Sequence, residues 1–199
     1  LQGGMMNKSY LFSVKNKKYV LYMPTKQSNE TVDRNLEKAS QAIVIDLNIT
    51  SKNLLFDTNS GIKINEFIEG DSLNHIENVN TDKIATLLHT LHNGKLTLTN
   101  YNPFTRLVEI IKERETFIKE KEKSEEEILS LIYANQAYLE EEKIVLSHND
   151  FQRSNIVLDP NDNYFVIDFE FMANNYETYD IACFGNDEIK DGEQLLKSY

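Results

Sequence analysis

The sequence predicts an α+β protein of two lobes, a small β-rich lobe followed by a mainly helical one that carries a short β-hairpin. Three observations predict it. The first third of the chain consists of short apolar runs separated by turn residues. From residue 80 the apolar spacing changes to that of helices. Two late apolar runs then flank Asp159-Pro160-Asn161-Asp162-Asn163, a strong turn signal. The boundary falls near Glu69-Gly70, giving lobes of residues 1–69 and 70–199.

Taken in order, Tyr10 to Val14 and Tyr19 to Met23 flank Lys15-Asn16-Lys17-Lys18, the pattern of a hairpin. Pro24 lacks the N–H a ladder needs and stops the second strand. Residues 30–44 have helical composition, with Leu36, Ala39, Ser40 and Ile43 spaced for one face. Leu54-Leu55-Phe56 and Ile62 to Ile68 read as another strand pair, turning through Asp57 to Gly61. Ile84, Leu87, Leu88 and Leu91 mark a helix capped by Asn80 or Thr81. Residues 104–142 read as helical with a break near Ser124, where Ser124 and Glu127 fit a capping box. Ile128, Leu129, Leu131, Ile132 and Leu139 would supply its buried stripe, and the charge run Lys119 to Glu127 a solvated face. Ile144-Val145-Leu146, Ile156-Val157-Leu158 and Tyr164 to Ile167 are short strands.

Composition narrows the function classes. The 199 residues are 40% hydrophobic and 27% charged, ordinary for a soluble globular protein. A net charge of −11 argues against nucleic acid or an anionic membrane surface as partner, since both need clustered positive charge. No apolar run approaches the roughly 18–20 residues of a membrane span, and no signal peptide is evident. The single cysteine, Cys183, leaves no intrachain disulfide, so a cytoplasmic location is expected. Cys183 reads as a small buried apolar residue rather than a nucleophile. The chain begins at Leu1 rather than Met, directly ahead of patterned sequence, and reads as lacking its natural N-terminus. No feature sets an oligomeric state.

The chemistry concentrates in Ser147-His148-Asn149-Asp150-Phe151-Gln152-Arg153-Ser154-Asn155 and Ile167-Asp168-Phe169-Glu170. Phosphoryl transfer needs a carboxylate to orient and deprotonate an attacking hydroxyl, and oxygen ligands for magnesium. Asp150 follows a strand, Asn155 opens the next one, and Asp168 ends the return strand of the hairpin, which gathers three oxygen-bearing side chains at one end. Taken singly, His, Asp and Asn near turns are common, and Asp150 also suits a turn or cap. The full pattern is much rarer. His148 reads as a hydrogen-bonded scaffold for the loop rather than a general base.

These residues match the kinase signature of a catalytic-loop Asp, an Asn and a later metal-binding Asp. The variant His-Asn-Asp-x-Gln-x-x-Asn with Ile-Asp-Phe-Glu-Phe resembles choline and ethanolamine kinases, within the aminoglycoside phosphotransferase-like kinases, and in particular the bacterial choline kinase type. Asn175 to Ala182 is similar to that family's Asn-x-x-x-aromatic-Asp-Ile-Ala. Gly3-Gly4-Met5-Met6-Asn7 resembles its phosphate loop, Ile64 to Gly70 its interlobe hinge, and Leu88 to His92 its first large-lobe helix. The resemblance implies a bilobal, protein-kinase-like fold, with ATP and Mg2+ as cofactors and a small molecule as partner. It implies that Asp150 orients the substrate hydroxyl as base and that Asn155 and Asp168 hold magnesium. It further implies nucleotide contacts from Gly4, Asn7, Gln152 and the Glu66 and Ile68 backbone. Glu37 falls where the family's small-lobe helix offers an acid to the phosphate-binding cation, although it also reads as a solvated helix residue.

Two departures stand out. The family's Tyr-Val-Leu-Arg-x-x-Gly is here Tyr19-Val20-Leu21-Tyr22-Met23-Pro24-Thr25, so Tyr22 stands where a cation should meet phosphate. Either a neighbour such as Lys8 or Lys26 substitutes, or nucleotide binding is weak. The chain also stops at Tyr199, where the family continues with further helices, and reads as a fragment or a short member. For the substrate, a quaternary ammonium wants aromatic faces and carboxylates. Glu170, Tyr176 and Asp187 are the substrate-site candidates, with Phe171 and Tyr179 also reading as core. Choline is favoured by resemblance, with no tryptophan to build the best aromatic box. Ethanolamine, an aminoglycoside or a sugar is the alternative substrate, and a catalytically silent kinase-fold binding protein the alternative function.

Overall fold

A computed structural model gives the fold and describes residues 7–115 and 123–199. Strand β1 (Asn7–Val14) pairs antiparallel with β2 (Lys17–Pro24). Between them Lys15 and Asn16 take φ of 48° and 63°, the two-residue turn whose twist suits antiparallel strands. The sheet continues through β4 (Lys63–Glu66) to β3 (Asn53–Phe56), in the order β1-β2-β4-β3. The Asp57 to Gly61 turn forms as expected, closed by Gly61 N–H donating to the Asp57 carbonyl (2.8 Å). Strand β4 is shorter than its apolar run, because the chain turns away beyond Glu66, with Phe67 N–H still bonded to Lys18 O (3.1 Å).

Two helices pack with this sheet, a short α1 (Lys26–Thr31) that the pattern did not reveal and α2 (Arg34–Asp46). Asp33 caps α2 by accepting from the N–H groups of Asn35 and Leu36. The expected apolar face of α2 is corrected. Its buried residues are Arg34, Glu37, Ser40, Gln41 and Val44, while Ala39 is exposed and Leu36 and Ile43 are half-buried. The helix is turned so that a polar stripe faces inward, because ion pairs at Glu37 satisfy its buried charge.

The larger part comprises β5 (Asp71–Ser72), α3 (Thr81–His92), α4 (Pro103–Glu115), α5 (Lys123–Leu139), β6 (Ile144–Ser147), β7 (Ile156–Leu158), β8 (Tyr164–Val166), β9 (Ala173–Tyr176), α6 (Glu177–Phe184) and α7 (Ile189–Ser198). Strands β7 and β8 form the expected hairpin, with the Asp159 carboxylate accepting from Asn161 and Asn163 N–H inside the turn. Strand β5 joins the other edge of β7, and β6 pairs with β9. Gly70 leads into β5 at φ 151°, where a Cβ would sit 2.2 Å from the Leu158 carbonyl oxygen. Helix α3 forms the centre of the core. Its Asn80 cap holds, and Ile84, Leu88 and Leu91 are fully buried in one cluster with Leu146, Phe151 and Ile156.

The expected buried stripe of α5 is also corrected. Leu131 is 66% exposed, and Leu129, Ile132 and Leu139 are only half-buried. An apolar periodicity marks a face but does not supply an element to cover it. The Ser124 side chain of the expected capping box, and part of the Lys119 to Glu127 run, lie outside the described residues. No described helix is long and apolar enough to cross a membrane.

Candidate active site

Strand β6 ends at Ser147, and the chain passes through His148, Asn149 and Asp150 before a 3-10 helix, Arg153–Asn155, leads into β7. Asp180 of α6 holds this loop. Its fully buried carboxylate accepts from the N–H groups of His148 and Asn149, each at 2.8 Å, and from His92 Nε2 at 3.1 Å. Asn149 sits at φ 64°, a left-handed conformation that asparagine tolerates. Its side chain bridges Phe171 O (2.9 Å) and Asn175 Nδ2 (2.7 Å). His148 is buried, packs against Phe169 and donates from Nε2 to Ile167 O (2.9 Å). It is a strut between the loop and the return strand, as the sequence suggested. Arg153 ties the 3-10 helix to Leu73 O and to Asp191 of α7 (2.6 Å).

The three oxygen-bearing residues converge. Asn155 Nδ2 donates to both the carbonyl (2.9 Å) and the carboxylate (2.8 Å) of Asp150, and Gln152 Nε2 donates to the other carboxylate oxygen (2.8 Å). Asp150 is thereby fixed in orientation. Ile167 N–H donates to Asn155 O (2.9 Å), which sets the following residue, Asp168, beside Asn155. Asp168 lies at φ 67° and accepts no side-chain hydrogen bond among the described residues. Burial raises its pKa. Lys63 and His148 oppose that rise, while Asp150 and Glu37 add to it. Both Asp168 and the Asn155 amide oxygen, to which no described residue donates, suit a hard cation that takes oxygen ligands from protein, phosphate and water. Among the described residues no group of three or more His, Cys, Asp or Glu is placed to hold a metal ion.

The small lobe faces this hairpin with an ion-paired cluster. Glu37 of α2 bonds Arg34 (2.7 Å) through one carboxylate oxygen and Lys63 of β4 through the other, all three buried. Tyr22 lies directly opposite Lys63 in the β2–β4 register. Burial, and then the charge of Asp168, raise the Tyr22 pKa. A narrow crevice between the lobes is lined by Tyr22, Glu37, Lys63, Asp168 and Phe169. Sequence reasoning missed Lys63. Lys8 is exposed, and Lys26 lies on the surface within 3.9 Å of Glu30.

Of the other candidates, Asn7 Nδ2 donates to Glu170 Oε2 (2.8 Å), linking β1 to the residue two after Asp168. Burial and Asp168 push the Glu170 carboxyl up to about 7, against the Asn7 bond and Lys63. Glu66 ends β4, and the Ile68 main chain makes no hydrogen bond with other described backbone groups. Gly4 lies outside the described residues. Tyr176 is buried, edge-on to Phe104. Asp187 lines a separate cleft with His75 and Arg153.

A family model, choline/ethanolamine kinase, matches residues 1–191. Choline kinase LicA from Streptococcus pneumoniae is similar at 29% identity and a TM-score of 0.77, over 99% of this chain and 72% of that one. A complex of LicA with AMP aligns at 28% identity and a TM-score of 0.75, over 99% and 71%. A choline/ethanolamine kinase family protein from Mesorhizobium loti shares the fold, with a TM-score of 0.81 at 14% identity over 99% and 67%. No curated protein matches the sequence. With the family pattern running through nearly all of its length and onto the Asp150 hairpin, the chain belongs to the choline/ethanolamine kinase family, ATP-dependent small-molecule phosphotransferases.

Proposed function

We propose that this protein transfers the γ-phosphoryl group of Mg2+-ATP to the hydroxyl of choline or a related amino alcohol. The observation that carries this reading is the Asp150 carboxylate, held by Asn155 and Gln152 beside Asp168. As the substrate hydroxyl oxygen bonds to the γ-phosphorus and ADP leaves, Asp150 takes the hydroxyl proton. Asn155 and Asp168 would hold the magnesium, which would neutralise charge on the phosphates. The Glu66 and Ile68 backbone at the junction of two lobes, 1–69 and 70–199, meets adenine, and Asn7, at the start of β1, serves the nucleotide side. Gln152, expected to reach the nucleotide, spends its Nε2 on orienting Asp150 instead.

An amino alcohol fits the acidic field of a chain with net charge −11. Phe171, 45% exposed beside Asn149, offers an aromatic face, and Glu170 a carboxylate, for the ammonium group. Tyr176, buried against Phe104, and Asp187, in a separate cleft, are left out of this substrate site. ADP release with Mg2+-ATP across choline, ethanolamine, an aminoglycoside and a sugar tests the assignment. Turnover is expected with choline and is abolished in Asp150→Asn. A folded protein that turns over no acceptor refutes it and leaves a ligand-binding protein on a kinase fold.

A further inference from the structure

We propose that Lys63 is the phosphate-binding cation of this site, moved one strand across the small sheet from the position that Tyr22 occupies. The inference rests on the kinase reading above and adds to it the residue that the sequence left without a name.

The register makes the exchange possible. Tyr22 of β2 and Lys63 of β4 are direct cross-strand partners. Opposed residues in adjacent strands share one face, with Cβ atoms about 4.5–5.5 Å apart. A flexible lysine therefore covers the point that a cation on β2 would reach. Tyr22 then has a positive role, because Lys63 Nζ sits 5.3 Å from the centre of its ring and 5.5 Å from that of Phe56. An ammonium over two aromatic faces is held without losing its charge to a second carboxylate.

Charge accounting points the same way. Glu37 carries one negative charge, and its two oxygens are taken by Arg34 and Lys63. The buried trio is left with one excess positive charge, a costly state unless an anion answers it. Asp168 and Glu170 feel the Lys63 charge, yet neither forms an ion pair with it. Lysine has three N–H donors, and Glu37 is the one hydrogen-bond acceptor that Lys63 Nζ has among the described residues. Donors remain for an incoming phosphate, and Lys63 and Asp168 line one narrow crevice, which would widen to admit it. A lysine anchored by a helix glutamate while it meets the nucleotide phosphates is the arrangement that kinases use on another strand.

Calorimetric titration of the intact chain with ATP, ADP and adenosine in the presence of Mg2+ tests this. In Lys63→Met, ATP and ADP are expected to bind about 10- to 100-fold more weakly, the range of a lost charge-assisted hydrogen bond, with adenosine unchanged. Adding Tyr22→Arg to Lys63→Met restores ATP affinity by returning the cation to β2. Unchanged ATP affinity in Lys63→Met overturns the proposal, and so does an equal loss for adenosine, which marks a structural role. If Lys63→Met does not fold, Tyr22→Arg alone decides. With Lys63 serving, it leaves ATP affinity unimproved, whereas a tenfold or larger tightening means that the site lacked its cation and overturns the proposal. A folded parent chain that binds no ATP removes the kinase reading itself, an outcome distinct from all of these.

Discussion

Replacing Asp180 by alanine should cost this protein about 3–9 kcal/mol, because one side chain answers three buried donors. Its carboxylate is fully buried and accepts from His148 N–H, Asn149 N–H and His92 Nε2. Each buried N–H stripped of its acceptor costs about 1–3 kcal/mol. The two loop amides alone therefore account for about 2–6 kcal/mol. His92 is further tied through Nδ1 to the Tyr199 hydroxyl (2.8 Å), so its loosening reaches α3 and the end of the chain. Such a loss is a large share of the roughly 5–15 kcal/mol by which domains are stable. Asp180→Asn keeps the shape and one acceptor oxygen but turns an amide N–H toward a donor, so about half the loss is expected. Urea unfolding followed by circular dichroism reads both values, with unchanged m as the sign that compactness is intact. Activity is expected to fall further than the lost stability explains, since Asn149 at φ 64° presents Asp150. An Asp180→Ala protein within about 1 kcal/mol of the parent would refute it, since changes that small belong to surface sites.

Asp150→Asn should lower kcat by about 10²–10⁴, the usual worth of a general base, with only a small drop in unfolding midpoint, since the amide oxygen keeps one of the two bonds from Asn155 and Gln152. Gly70→Ala should destabilise by about 1–3 kcal/mol in urea, since its Cβ would meet the Leu158 carbonyl at 2.2 Å. A neutral result there would mean that β5 and β7 separate freely. Burial, and then Asp180 and Asp150, push the Cys183 thiol up to about 12. Near pH 8 its thiolate fraction is then roughly 10⁻⁴, against about a quarter for a free cysteine. Raising the pH lowers this deficit only as the thiol approaches its own pKa, so alkylation by iodoacetamide should stay slow and keep rising through pH 10. A plateau near pH 8.5 would contradict it.

Much of the site was legible because its chemistry is local in sequence. Asp150 and Asn155 lie five positions apart, and the turn at Asp159 to Asn163 folds Asp168 back to them by its own side-chain bonds. The β1–β2 hairpin and helix α3 were equally readable, since a two-residue turn and a 3.6-residue period are written within single short windows. Strand β9 was not, since its sequence Ala173-Asn174-Asn175-Tyr176 has no strand pattern and is set by pairing with β6.

The sequence by itself determined the two-lobed α+β architecture, the hairpin that gathers Asp150, Asn155 and Asp168, and the family. It also showed that Tyr22 stands where a cation was expected. Tertiary structure alone decided what meets Tyr22. Lys63 lies forty-one positions along the chain, and only the antiparallel register of β2 and β4 brings the two side chains together. The inward turn of α2 was likewise invisible, because periodicity counts apolar residues, whereas the face that this helix buries is held by Glu37 between Arg34 and Lys63. Local propensity is a property of neighbours in sequence, and a charge is buried only where distant partners arrive to satisfy it.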